Sequence, residues 1–163
     1  SIMATIKKLR YQDDATFGGV PYGNTTTRSF NLTTKANGAA TNSDTAAAIG
    51  NGDSVVLGLL PAGMLLQDAV ATVSDAFTAL TVGKLGFAYT DGVDSTEVPQ
   101  ADDYFFGTAT LTLHTLGTYR KVTSTAPVRL PKDANLVLIS SGAAHASAGV
   151  ADFRITGVLG GPN

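Results

Sequence analysis

Side chains able to do chemistry are few in this sequence. The 163 residues include two histidines, His114 and His145, and no cysteine. Neither histidine has a second His, Asp or Glu at a metal-ligand spacing, so the pair reads as surface chemistry rather than a metal site. Without Cys there is no disulfide framework, no thiolate zinc site and no cysteine nucleophile. Asp91, Asp94 and Glu97 recur at intervals of three, with Asp102 and Asp103 close behind. A hard cation such as Ca²⁺ takes several clustered oxygens, but the EF-hand spacing is absent and the stretch reads as a solvated acidic loop. No Gly-x-Ser-x-Gly elbow and no phosphate-cradling glycine loop occurs. Asn24-Thr25-Thr26 and Asn31-Leu32-Thr33 match the glycosylation sequon, incidentally in a chain read without a secretory signal. A single Glu and no Trp speak against a sugar cleft, which needs paired carboxylates and a stacking ring. The expectation is a protein that is not an enzyme and that carries no metal and no cofactor.

The elements that would position these side chains are strands. Thr and Gly are abundant and are poor helix formers; Glu is nearly missing. Short apolar or alternating runs appear at Ser29–Thr33, Val55–Leu60, Leu65–Ser74, Thr81–Tyr89, Thr108–His114, Val128–Leu130, Leu136–Ile139 and Ala151–Thr156. Gly, Pro, Asn and Asp separate them, with Asp91-Gly92 as a turn signal. Ala46–Ala48, preceded by Ser43 and Asp44, reads as one short helical turn. Leu60-Pro61-Ala62-Gly63-Met64 and Leu130-Pro131-Lys132-Asp133-Ala134 echo one another and read as hairpin corners, because Pro removes a ladder donor. About eight short strands with such corners predict an all-β fold, an antiparallel β-sandwich of jelly-roll type.

Residues 1–27 hold no period and read as an extended N-terminal arm, leaving 28–163 as the sandwich domain. Charge is sorted along the chain: net +3 over residues 1–35, −8 over 36–105 and +3 over 106–163, for a total of −2. That near-neutral total argues against nucleic acid as a partner. No apolar run approaches the ~18 residues of a membrane helix, so no membrane partner is expected.

Several phrases carry a resemblance. Gly52-Asp53-Ser54-Val55-Val56-Leu57-Gly58-Leu59-Leu60-Pro61-Ala62-Gly63-Met64, the run from Gly83 to Gly92, Asp102-Asp103-Tyr104-Phe105-Phe106 and the Leu130–Ala134 corner resemble segments of tailed-bacteriophage virion proteins. They are strand and turn phrases, not catalytic motifs, and span roughly residues 27–160. The resemblance implies a capsid decoration (cement) protein or a related small head protein, made in the host cytoplasm and ending on the capsid surface of the virion. It implies the major capsid protein as partner and a homo-oligomer, with a trimer ahead of a dimer. It also implies an arm lying over capsid subunits, for which Lys7, Lys8, Arg10 and Tyr11 are the contact candidates. Two other readings stand beside it: a phage tail or fibre module, and a carbohydrate-binding β-sandwich or hydrolase. Lack of Trp and of a catalytic constellation puts the last one lowest.

Overall fold

Alternation of apolar and polar residues along short, Thr-rich segments leaves strands as the only way to bury one face while wetting the other. The structure, a computed structural model, describes residues 3–8, 25–121 and 126–159. The described residues form ten strands: β1 (Thr5–Lys7), β2 (Thr25–Thr34), β3 (Ser54–Leu60), β4 (Met64–Asp75), β5 (Val82–Tyr89), β6 (Ala101–Thr112), β7 (Gly117–Arg120), β8 (Val128–Arg129), β9 (Ala134–Ser141) and β10 (Gly149–Leu159). No helix occurs among the described residues. One sheet has the order β1-β3-β9-β5-β6; the other runs β2-β10-β4-β7, with β8 also on β4.

The pairing is that of a rolled-up ribbon. β5 pairs antiparallel with β6, β4 with β7 and β8, β3 with β9, and β2 with β10. Two long chain halves thus lie side by side and bend together from sheet to sheet, which is the jelly-roll plan. The expected sandwich is therefore the observed one. Beyond the eight strands read from the sequence it holds β1 and β7, of three and four residues, too short to show a period.

This plan corrects the reading of the two proline corners. Neither is a hairpin: Pro61 joins β3 to β4 and Pro131 joins β8 to β9, and in each case the two strands belong to different sheets. The corners lie against each other at the bend of the ribbon. The Gly63 amide donates to the Leu130 carbonyl at 2.8 Å, and the Leu130 amide to Met64 at 3.0 Å. The Asp133 carboxylate accepts the Ala62 amide at 2.8 Å. The echo in sequence is one bend made twice.

The core lies between the sheets, around Phe30, Leu66, Leu85, Phe87, Phe105, Phe106 and Phe153. Each fully buried side chain of this size contributes roughly 1.5–3 kcal/mol relative to exposure. Tyr104, Phe105 and Phe106 are buried in succession, which simple alternation forbids. β6 manages this by bulging: between Val82↔Thr112 and Phe87↔Ala101 its register against β5 shifts twice, turning extra residues inward. On β3, a Cβ on Gly58 would stand 2.2 Å from the Phe30 ring, so the missing side chain makes room for a ring from the facing sheet.

The expected arm is described only near its ends, and there it is strand. β1 pairs in parallel with β3 through Thr5↔Ser54 and Ile6↔Val55, and Ile6 is buried in the core. Thr25, Thr26 and Thr27 belong to β2. The helical turn at 46–48 does not form: Ala48 bridges Ala39 instead. The Ser43 hydroxyl donates to the Ala40 and Thr45 carbonyls rather than capping an amide.

Candidate assembly surfaces

The ribbon gathers its connections at two ends. One end carries the loops 35–53, 76–81, 113–116 and 142–148, bound to one another through the backbone. Ile49 donates to Gly38, His145 to Ile49, Phe77 to Leu113, and Leu113 to Thr81. Thr78 and Ser147 join two of these loops through their hydroxyls at 2.9 Å. The opposite end carries the corners at 61–63 and 130–133 and the connection 90–100 between β5 and β6.

At the first end sits an arrangement that looks like chemistry. The Ser140 hydroxyl lies 2.6 Å from His145 Nε2, the geometry of an activated nucleophile. Both residues are buried, Ser140 fully and His145 at 2% exposure, so no substrate reaches them. His145 Nδ1 is buried without a hydrogen-bond partner, and the Phe77 ring meets the imidazole edge-on at 5.4 Å. Burial pushes the His145 pKa down to about 4, which keeps the ring neutral. The surface role expected for His145 is thereby corrected to a packing role. His114 Nδ1 lies 2.9 Å from the Thr81 carbonyl and ties two loops of the same end.

At the opposite end the acidic loop is fastened from within. Lys132 Nζ pairs with Asp91 at 2.8 Å, donates to the Val93 carbonyl at 2.7 Å, and stands 4.9 Å from the Tyr89 ring centroid. The Lys132 hydrogen bond holds the Asp91 carboxyl below its ordinary range, aided by the Val93 amide. Asp94 accepts the amides of Ser95 and Gln100 at 2.7 and 2.8 Å. Lys84 pairs with Asp102 at 3.2 Å. Among the described residues no three His, Asp or Glu side chains come together to hold a metal ion.

The four capsid-contact candidates separate. Lys7 is exposed on β1, with its amide donating to the Asp44 carboxylate at 3.1 Å. Lys8 is 9% exposed; its ammonium donates to the Thr41 carbonyl, and burial lowers its pKa. An engaged, desolvated ammonium is not presented to a partner, which removes Lys8 from the set. Arg10 and Tyr11 lie outside the described residues.

The surface that sequence reasoning passed over is the outer face of sheet β2-β10-β4-β7. Thr25, Thr27, Ser29 and Asn31 of β2 face solvent, beside Asp152, Arg154 and Thr156 of β10. Hydroxyl and amide pairs run across it: Thr27–Thr156 at 3.1 Å and Asn31–Asp152 at 2.9 Å. The register places Arg154 and Arg120 on either side of Val70, in one cross-strand row. The alternation of β10 exposed Arg154 to sequence reading, but the four residues of β7 were too few to place Arg120.

No family model matches the chain, and no curated protein sequence matches it. Among solved structures, a chain from the capsid of Ralstonia phage GP4 superposes with a TM-score of 0.69 at 16% identity, covering 97% of this chain and 99% of that one. A chain from the acidic stable capsid of Helicobacter pylori bacteriophage KHP30 aligns with a TM-score of 0.47 at 10% identity, over 85% of this chain and 94% of that one. The first likeness defines a shared fold, and with the strand order above it sets the class: a jelly-roll β-sandwich.

Proposed function

We propose that the chain is a non-enzymatic virion structural protein that binds the outer surface of an assembled phage capsid and stabilises it. The observation that carries this reading is the end-to-end match to a chain of the Ralstonia phage GP4 capsid, 97% of one against 99% of the other. A fold by itself hosts many functions. Here the match extends over nearly the whole of both chains. The nucleophile-like pair Ser140 and His145 is sealed in the core. The partner is the major capsid protein, and the working form is a closed homo-oligomer, a trimer ahead of a dimer. Several weak attachments on one oligomer hold it to the shell by avidity. Lys7, Arg10 and Tyr11 are the shell contacts, with Tyr11 as an aromatic anchor.

Shells assembled without this protein provide the test. Purified protein added to them is expected to sediment with the shells at a fixed copy number and to raise their resistance to heat. Protein that stays in the supernatant at saturating concentration overturns the reading. The triple change Lys7→Ala, Arg10→Ala and Tyr11→Ala is expected to abolish co-sedimentation, with circular dichroism checking that the variant is folded.

A further inference from the structure

Charge is scarce on this molecule, and part of it lies in two patches of opposite sign. Arg154 on β10 and Arg120 on β7 are exposed and face outward from the same sheet. They flank Val70 of β4 through the pairs Arg154↔Val70 and Val70↔Arg120. Two strand spacings put their backbones about 10 Å apart. Asp68 and Asp152 share the face, but neither forms an ion pair with these arginines; Lys84–Asp102 and Lys132–Asp91 are ion pairs elsewhere on the molecule. Neither guanidinium has a hydrogen bond. Arg129, on the neighbouring β8, adds a third cation whose guanidinium donates to the Gly63 carbonyl at 2.6 Å. Around the row lie Thr72, Thr118, Thr156 and Ser29, short side chains that cost little to order or desolvate.

The opposite sign gathers at the 90–100 end. Lys132 answers Asp91 and Lys84 answers Asp102. Asp94, Glu97 and Asp103 are left without a cation, all exposed. Among the described residues, Glu97 and Asp103 have no cation and no side-chain hydrogen-bond partner.

We propose that the arginine row on the outer face of sheet β2-β10-β4-β7 is the docking surface for the acidic 90–103 end of a second copy of this chain. The assignment rests on the homo-oligomer proposed above and names its two complementary surfaces. A sheet face meeting a loop end is a head-to-tail contact, which closes into a ring when the rotation allows. A stable interface needs ~800 Å² from each partner. That is about a tenth of the 7676 Å² surface of the chain. Guanidinium forks suit carboxylates in two-point geometry, so the row sets both register and specificity.

Sedimentation velocity on the purified chain tests this. The wild type is expected to associate at low salt and to dissociate at about 1 M salt, where screening reaches within ~3 Å. The pair Arg120→Glu with Arg154→Glu, and separately the pair Glu97→Lys with Asp103→Lys, are each expected to be monomeric with wild-type melting curves. Mixing the two variants is expected to restore a complex, because each then carries one usable surface. A wild type that stays monomeric at high concentration, or association untouched by both reversals, overturns the proposal. So does an arginine variant that remains oligomeric yet no longer sediments with shells, which would give the face to the capsid instead. The shell assay and the sedimentation assay are read separately, so failure of the interface is distinguishable from failure of the decoration role.

Discussion

At the level of single residues, two side chains behave differently from their types. His145 lies in a run of small residues and reads as loop chemistry, yet its burial leaves it a neutral packing group with a pKa of about 4. The unfolded chain takes up the proton near pH 6.5, whereas the folded one resists it down to about 4. Stability therefore falls as pH drops through that window, by roughly 3 kcal/mol in all, and levels off below it. Chemical denaturation between pH 7 and 4 measures this directly. His145→Gln, which keeps an amide for Ser140 but does not titrate, is expected to flatten that part of the profile. Gly58 is the second case. Filling its position drives a methyl into the Phe30 ring, so Gly58→Ala is expected to cost about 1–3 kcal/mol by overpacking. The same change at Gly63, where a Cβ meets nothing, strains only its positive φ of 84°.

Elements show where the sequence was legible and where it was not. Long strands with clean alternation, such as β10 with Ala151, Phe153 and Ile155 inward, could be read from spacing alone. The start of β6 could not, because its bulges bury Tyr104, Phe105 and Phe106 side by side and break the period of two. β1 escaped notice because three residues carry no pattern; one buried Ile6 between exposed neighbours holds it. The proline corners were visible as breaks but not as sheet crossings, since the neighbour that satisfies each lies some seventy residues away. Asp133 belongs to this scale: its carboxylate holds the Ala62 amide of the facing corner. Asp133→Ala is expected to lower stability by about 1 kcal/mol, read as a shift in the denaturation midpoint with unchanged slope.

For the molecule as a whole, the scarcity of charge takes on a spatial meaning. Part of the acidic middle, Asp91, Asp94 and Glu97, gathers at the 90–100 end, whereas Asp44, Asp53 and Asp75 lie at the other end; from the basic C-terminal third, Arg120 and Arg154 share one sheet face. The candidate contacts named from the sequence did not fare equally: Lys7 remains on the surface, whereas the Lys8 ammonium is turned to the Thr41 carbonyl. Sequence alone determined the class of element, the approximate number of strands, the corners and the shortage of catalytic groups, because these follow from period-two patterning, proline and residue type, which are local. Only the tertiary structure decided which strands pair, that the two proline corners form one bend, that His145 is sealed beside Ser140, and that Arg120 and Arg154 stand in one row. Those facts depend on contacts between residues far apart in the chain. Their energies come from hydrogen bonds and burial that exist only once the ribbon has rolled up.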